Sequence, residues 1–216
     1  MNEKISLEKP ATLLSPVPAV MVSCGNGDEA NIITIAWTGI VNSNPPMVSI
    51  SVRKERFSHH LLMQEKEFVI NLPTQEQVET LDWVGVKSGR DVNKWKERNL
   101  TKGKAEKVSC PVIAECPVNL ECKVTQVLEL GSHDLFLAEI VNVQVQKDLM
   151  DTKGALHMER AHLVALNHGK YYPVPRVSLL RMGESVMKPS TAKKQEKERK
   201  AKRRTARGYD KKGKKA

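Results

Sequence analysis

The apolar residues of this chain gather into short runs more often than into helical stripes. Ala30–Trp37 is dense in β-branched residues at Ile32, Ile33, Thr34 and Ile35 and reads as a strand. Met47–Val52 reads as a second strand, opened by the Pro45-Pro46 pair that ends whatever precedes it. Glu67–Leu72 reads as a third, closed by Pro73. Pro18–Gly25 forms another, and Gly25-Asn26-Gly27 is a tight-turn signal that returns the chain into Asn31–Trp37 as a hairpin. Further along, alternation takes over. Val118, Leu120, Cys122 and Val124 alternate with polar residues, as a half-buried strand should. Leu135–Val145 does the same, with Leu135, Leu137, Glu139, Val141, Val143 and Val145 on one phase, and Gly131-Ser132-His133-Asp134 connects the two as a hairpin. A last short strand covers Leu163–Leu166.

Helical signals are sparse. A short helix is predicted over His59–Lys66, with Ser58 as its N-cap. Thr74 followed three positions later by Gln77 is a capping box, opening a helix with Val78, Leu81 and Val84–Val86 as apolar positions. Asp91–Leu100 reads as another helix, resting on Val92, Trp95 and Leu100. Residues 74–105 are therefore a helical insert between strands. Many short strands with helices at one side predict a mainly β fold, a closed antiparallel barrel. No internal repeat is present.

Composition adds an appendage to this domain. The chain has 216 residues, 40% of them hydrophobic, which is enough for one real core. Its formal charge of +10 is confined to one end: residues 193–216 hold 13 Lys or Arg and 3 Asp or Glu, while residues 1–192 hold 22 of each. The tail from Ala192 has almost no apolar residues and is expected to be disordered in isolation. Three readings stand: loose binding to nucleic acid or another polyanion, a helix formed against an acidic partner, or a solubilising tail without a specific role. Tyr209 is its lone aromatic, which argues against base recognition. No stretch approaches the ~20 apolar residues of a membrane span, and no targeting segment follows Met1, so a cytoplasmic location is expected. Cys24, Cys110, Cys116 and Cys122 contain no C-x-x-C pair, which weakens zinc and dithiol readings. Cys116 and Cys122 would face the same way on an unbroken strand, as buried structural thiols do. The histidines are scattered, and no metal site is expected.

Candidate chemistry lies in polar residues placed on and beside the strands. Thr34, Ser49 and Ser51 are small hydroxyls, and the two serines share one strand face. Arg56 and Ser58 stand just before a predicted helix, whose N-terminus favours an anion. A guanidinium beside capping hydroxyls is a natural phosphate grip. Trp37 ends its strand where it can cover an aromatic ring. Singly, the serines also read as solvent-facing positions and Arg56 as a surface charge. Together they point to an anionic cofactor.

The order T-x-A-W-T-G-I-V-N-S-x-P-P-M-V-S-I-S-V-R-x-x-R-F-S-H from Thr34, then E-F-V-I-N-L-P from Glu67, resembles the flavin reductase-like family of FMN-binding split barrels, and most closely its flavoredoxin branch. Ser88-Gly89-Arg90-Asp91-Val92-Asn93-Lys94-Trp95 is similar to that branch's S-G-x-D-V-x-K-[FW] segment. Gly131-Ser132-His133 is similar to the family's G-[DS]-H turn, and Gly169-Lys170-Tyr171-Tyr172 to its closing G-x-Y-[YF]. The resemblance implies a split-barrel domain over residues 10–173 of Greek-key type, leaving 174–191 as linker and 192–216 as tail. It implies non-covalent FMN, with Thr34, Ile35, Ala36 and Trp37 along the isoalloxazine edge. Ser49, Ser51 and Val52 would meet the ribityl chain and phosphate, and Arg56, Phe57 and Ser58 would complete the phosphate site. His133 is the side-chain candidate at the reacting face, and otherwise a plain turn residue. The resemblance also implies a homodimer and hydride or electron transfer through the flavin.

Three function classes follow: a flavin reductase using NADH or NADPH, an FMN electron carrier served by a redox protein partner, and a tail-tethered anion-binding module with a non-catalytic barrel. No G-x-G-x-x-G motif is present. The family's nicotinamide stacks on flavin without one, so the electron donor stays open.

Overall fold

The two ends of a seven-stranded sheet meet at Ala36-Trp37, and that junction organises the molecule. In this computed structural model residues 2–188 are described, so the tail expectations lie outside the described residues. The chain divides between Arg176 and Val177, and the site lies wholly in the first unit. Its strands are β1 (Val17–Pro18), β2 (Val20–Cys24), β3 (Asn31–Ile35), β4 (Thr38–Ser43), β5 (Pro46–Arg53), β6 (Glu67–Leu72), β7 (Lys102–Gly103), β8 (Val112–Ile113), β9 (Val118–Glu129), β10 (His133–Val145), β11 (Val164–Asn167) and β12 (Lys170–Pro173). Its α-helices are α1 (Phe57–Glu65), α2 (Val78–Val86) and α3 (Lys94–Glu97). The large sheet is antiparallel in the order β3-β2-β6-β9-β10-β5-β4. Strands β1, β11 and β12 form a small separate sheet.

Strands β3 and β4 are the two edges of the large sheet, yet only two residues join them. The three backbone steps from Ile35 to Thr38 reach roughly 10–11 Å. The sheet must therefore roll up until its edges come together. Among the described residues no ladder joins β3 to β4 or β5; a single backbone bond crosses nearby, Ser51 N–H donating to Trp37 O at 2.9 Å. The barrel that the strand pattern predicts is thus split, as the family resemblance implies.

Inside the roll, alternate residues of β2, β3, β5, β6 and β10 meet, with Phe68 and Phe136 fully buried at the centre and Leu61 and Leu62 of α1 packed against them. Outside, α2 and α3 cover β2 and β3: Leu81, Val84 and Trp95 pack on Met21 and Ile32. Burying such side chains supplies about 1.5–3 kcal/mol each. Thr74 makes the expected capping box with Gln77.

Several expectations change. Thr38–Ser43, to which the strand pattern assigns no element, is a strand, because it finds a ladder partner in β5 across the Asn44-Pro45 turn. The buried phase of β10 is Asp134, Phe136 and Ala138, and Leu135 and Leu137 are only half-buried. Apolar residues occupy both phases there, and the interior takes the pair that fits beside Val48 and Ile50. On β9, Asn119 and Glu121 are buried as well as their apolar neighbours. Glu121 accepts from Glu106 N, Lys107 N, Asn142 and Gln144, so its burial is fully compensated. Cys116 precedes β9 and packs with the outer layer, whereas Cys122 faces the interior. The helix expected over Asp91–Leu100 shortens to α3, which Asn93 caps by accepting from Lys96 N, and left-handed Asn99 follows it. No helix among the described residues is long and apolar enough to cross a membrane.

Candidate functional site

The turn between β5 and α1 and the split between the sheet edges stand side by side. Arg56 N–H donates to Arg53 O at 3.1 Å, and His59 N–H donates to Arg56 O at 2.9 Å. These bonds start α1 at Phe57 and make Arg56 the N-cap residue. Ser58 is therefore inside the first turn, not the cap. It is buried, and its Oγ accepts from Asn31 Nδ2 at 2.8 Å.

Two clefts share Arg56 and Ile33. The first, of about 250 Å³, lies along the split and is bordered by Thr34, Ile35, Ala36, Trp37, Ser51, Val52, Arg56 and His133. Trp37, 48% exposed, lies with its ring centroid 4.7 Å from that of His133, tilted by 30°. His133 is the first residue of β10, opposite Arg53 on β5, and its Nδ1 lies 2.9 Å from Ser132 Oγ. Ile35 and Val52 belong to the barrel core and wall the cleft from behind. The Thr34 hydroxyl donates to Leu81 O of α2, so its side chain is engaged by the helix rather than free for a ligand. Ser49 shares the Ser51 face but borders neither cleft; it lies between Gly39 and Leu137.

The second cleft, of about 260 Å³, runs from Arg56, Phe57 and Ser58 to the segment after α2. Here stand residues that the pattern of polar strand positions does not reveal: Asn31, Lys87, Ser88, Gly89, Arg90 and Lys94. For Ser88, Gly89, Arg90 and Lys94 the signal is the Ser88–Trp95 segment, which marks a family resemblance but assigns no role; Asn31 and Lys87 carry no such signal. Gly89 permits the close approach, since a Cβ there would lie 2.6 Å from Phe57 Cδ1. Arg90 Nη1 donates to Glu55 O at 3.1 Å, and its guanidinium carbon lies 6.0 Å from the Phe57 ring centroid.

Lys94 is buried, and its Nζ donates to Ile32 O at 2.7 Å and Val84 O at 2.6 Å. Burial lowers its pKa to about 8; nearby Arg56 pushes the same way, and Cys24 opposes. Arg56, Lys87, Arg90 and Lys94 thus face one acid, Glu55, around this cleft. That donor set, with a cradle that only glycine permits, fits a phosphate-bearing cofactor. Among the described residues no cluster of metal-ligating side chains occurs. All four thiols are buried, and burial pushes those of Cys24, Cys116 and Cys122 up to about 12. They are poor nucleophiles.

A rolled antiparallel sheet whose edges meet without pairing is a split barrel. The Flavin reductase like domain matches residues 13–170, and the chain belongs to that family. The flavoredoxin of Desulfovibrio vulgaris (Miyazaki F) is similar in structure, with a TM-score of 0.79 and 28% identity over 86% of this chain and 100% of that one. An uncharacterized protein of Pyrococcus abyssi is 33% identical over 129 residues, 60% of this chain and 74% of that protein. An NADPH-flavin oxidoreductase of Streptomyces viridifaciens is 23% identical over 146 residues, 66% of this chain and 74% of that protein.

Proposed function

We propose that this protein is an FMN-dependent oxidoreductase that takes electrons from NADH or NADPH and passes them on through non-covalent flavin. The observation that carries the reading is the pair of clefts joined at Arg56, one cationic and one bearing Trp37 and His133. In this reading Arg56 holds the phosphate, aided by Ser51, and Ser58 acts indirectly by fixing Asn31. Ile35, Ala36 and Trp37 border the ring, and the side chain of Thr34 secures their strand to α2. Phe57 borders the cationic cleft and packs against the Arg90 guanidinium. His133, held against Trp37, stands at the reacting face. Bound flavin supplies hydride and electron transfer; the chain supplies position and electrostatics.

The test is to purify the protein, record its visible spectrum with added FMN, and titrate it with NADH or NADPH without air. Bleaching by a nicotinamide is expected. Bleaching only by dithionite would favour the second reading, an electron carrier reduced by a protein partner. The likeness to a flavoredoxin over that protein's whole length supports this alternative. No flavin binding at all would remove both.

Arg56→Ala should weaken FMN by roughly 2–3 kcal/mol, the scale of a charge-assisted hydrogen bond lost, and leave riboflavin affinity unchanged. Equal loss of both ligands would refute the phosphate role. A second copy of the chain as partner is part of the proposal, as is weak, salt-sensitive binding of polyanions by the basic tail.

A further inference from the structure

Asp134 is one residue beyond His133 on β10 and points the other way, into the protein. It is 3% exposed. Its Oδ2 accepts from His59 Nε2 of α1 at 2.7 Å. Its Oδ1 is buried and makes no hydrogen bond, but Lys54 Nζ stands 3.4 Å away. Lys54 also reaches Glu129 Oε2, at the end of β9, at 2.8 Å. A single carboxylate therefore ties together the start of β10, the first turn of α1 and the turn that follows β5.

That turn carries Arg56. Its other side-chain anchors are the Arg53–Glu55 contact, exposed at both partners, Arg90 on Glu55 O, and an exposed 3.4 Å bond from Arg56 Nη1 to Gly85 O. Exposed pairs of this kind hold a loop weakly. The Asp134–His59 contact is the buried one, and a buried charge binds its partner tightly because leaving it unpaired is costly. His59 is fixed from a second side by Phe136, whose ring lies 5.7 Å away, edge-on at 73°. Since His59 N–H donates to Arg56 O, a shift of His59 moves Arg56 directly.

We propose that Asp134 is a positioning residue of the anion site: through His59 and Lys54 it sets the Arg53–Arg56 turn, and so the aim of the Arg56 guanidinium. Asp134 touches no ligand in this scheme. The ligand half of the proposal rests on the FMN reading above; the turn half does not.

The experiment has two independent readouts. Asp134→Asn keeps the shape and removes the charge. Amide exchange at Arg56 and His59 should speed up about tenfold in this variant, with β6 amides unchanged. FMN should bind about tenfold more weakly and riboflavin unchanged. In an Arg56→Ala background the same substitution should alter FMN affinity by less than about twofold, because the two act through one contact. Lys54→Met, at a half-exposed position, should give a smaller effect in the same direction. Unchanged protection of the Arg56 and His59 amides would overturn the proposal whatever becomes of flavin. Additive losses in the cycle, or equal losses of FMN and riboflavin, would reduce Asp134 to a general stabiliser. If Arg56→Ala itself leaves FMN binding intact, the phosphate reading fails, and the amide exchange still decides whether Asp134 sets the turn.

Discussion

Strand β2 is buried at all five positions and β3 at four of five, whereas β4 is exposed at four of six. Both β3 and β4 are edges of the same sheet, joined by Ala36-Trp37. The difference lies in what covers them. On β2 and β3 the outer face receives α2 and α3, with Leu81, Val84 and Trp95. At the other edge Ile40 is 69% exposed and Val41 49%, and β10, which lies beyond β5 from this edge, carries half-buried Leu135 and Leu137 on its outer face. The clefts follow the boundary between the covered and uncovered halves. Exposed apolar surface of this kind marks an interaction face more often than a free one. A second copy of the chain is the proposed cover.

The largest expected effect tests the covered half. Trp95 is 4% exposed, and its Nε1 donates to Ala30 O at 2.9 Å. Trp95→Ala should cost about 3–5 kcal/mol, measured by urea unfolding, through a cavity and a carbonyl left without its donor. A loss below about 1 kcal/mol would mean that the insert does not hold β3 in place.

Lys94 tests the same half by pH. Its folded pKa of about 8 lies below the ordinary value of 10.5. Between these values the unfolded chain binds the extra proton, so stability should rise with pH from about 8 to 10.5, and the contribution is lost as pH falls back through 8. The scale is on the order of 3–4 kcal/mol at about 1.4 kcal/mol per pKa unit across this range. Unfolding measured across that range in the wild type and in Lys94→Met isolates the effect. Parallel curves for the two proteins would show that Lys94 is not carrying a suppressed charge.

Ile40→Glu tests the uncovered half. At a position so exposed, the fold should survive. A dimer formed over this edge should weaken by about 2 kcal/mol, enough to show as dissociation in sedimentation at micromolar protein. A dimer that persists unchanged would place the partner elsewhere.

These regions also differ in how far the sequence foretold them. Local signals sufficed for β6, bounded by Glu67 and Pro73, and for the Thr74 capping box, because each depends on neighbours along the chain. The face of β10 was misread because Leu135 and Leu137 compete with Phe136 and Ala138, and only the packed barrel decides between them. Strand β4 lacks a dense apolar run and exists through its ladder with β5. At the site, Arg56, Trp37, Ser51 and His133 were legible as types in order. Nothing local marks Lys94 as a buried lysine, or shows that the Ser58 hydroxyl is engaged by Asn31, 27 positions earlier. Such contacts are made by the fold, not by the segment.

The smallest effect separates two serines on one strand face. Ser51 and Ser49 point the same way from β5, and both are half-buried. Ser51 borders the first cleft, where the proposed phosphate site begins. Ser49 is one step deeper into the uncovered half, paired with Gly39 on one side and Leu137 on the other. A hydroxyl that donates to a phosphate contributes about 1 kcal/mol, so Ser51→Ala should raise the FMN dissociation constant about fivefold. Ser49→Ala should leave FMN affinity unchanged in titrations followed by flavin fluorescence, and removing its hydroxyl from a face that a second copy covers should, if anything, favour the dimer. The reverse ranking, with Ser49 the more costly loss, would mean that the cofactor extends over the outer face of β5. It would then be the cofactor, and not a second copy, that covers the open half of the barrel.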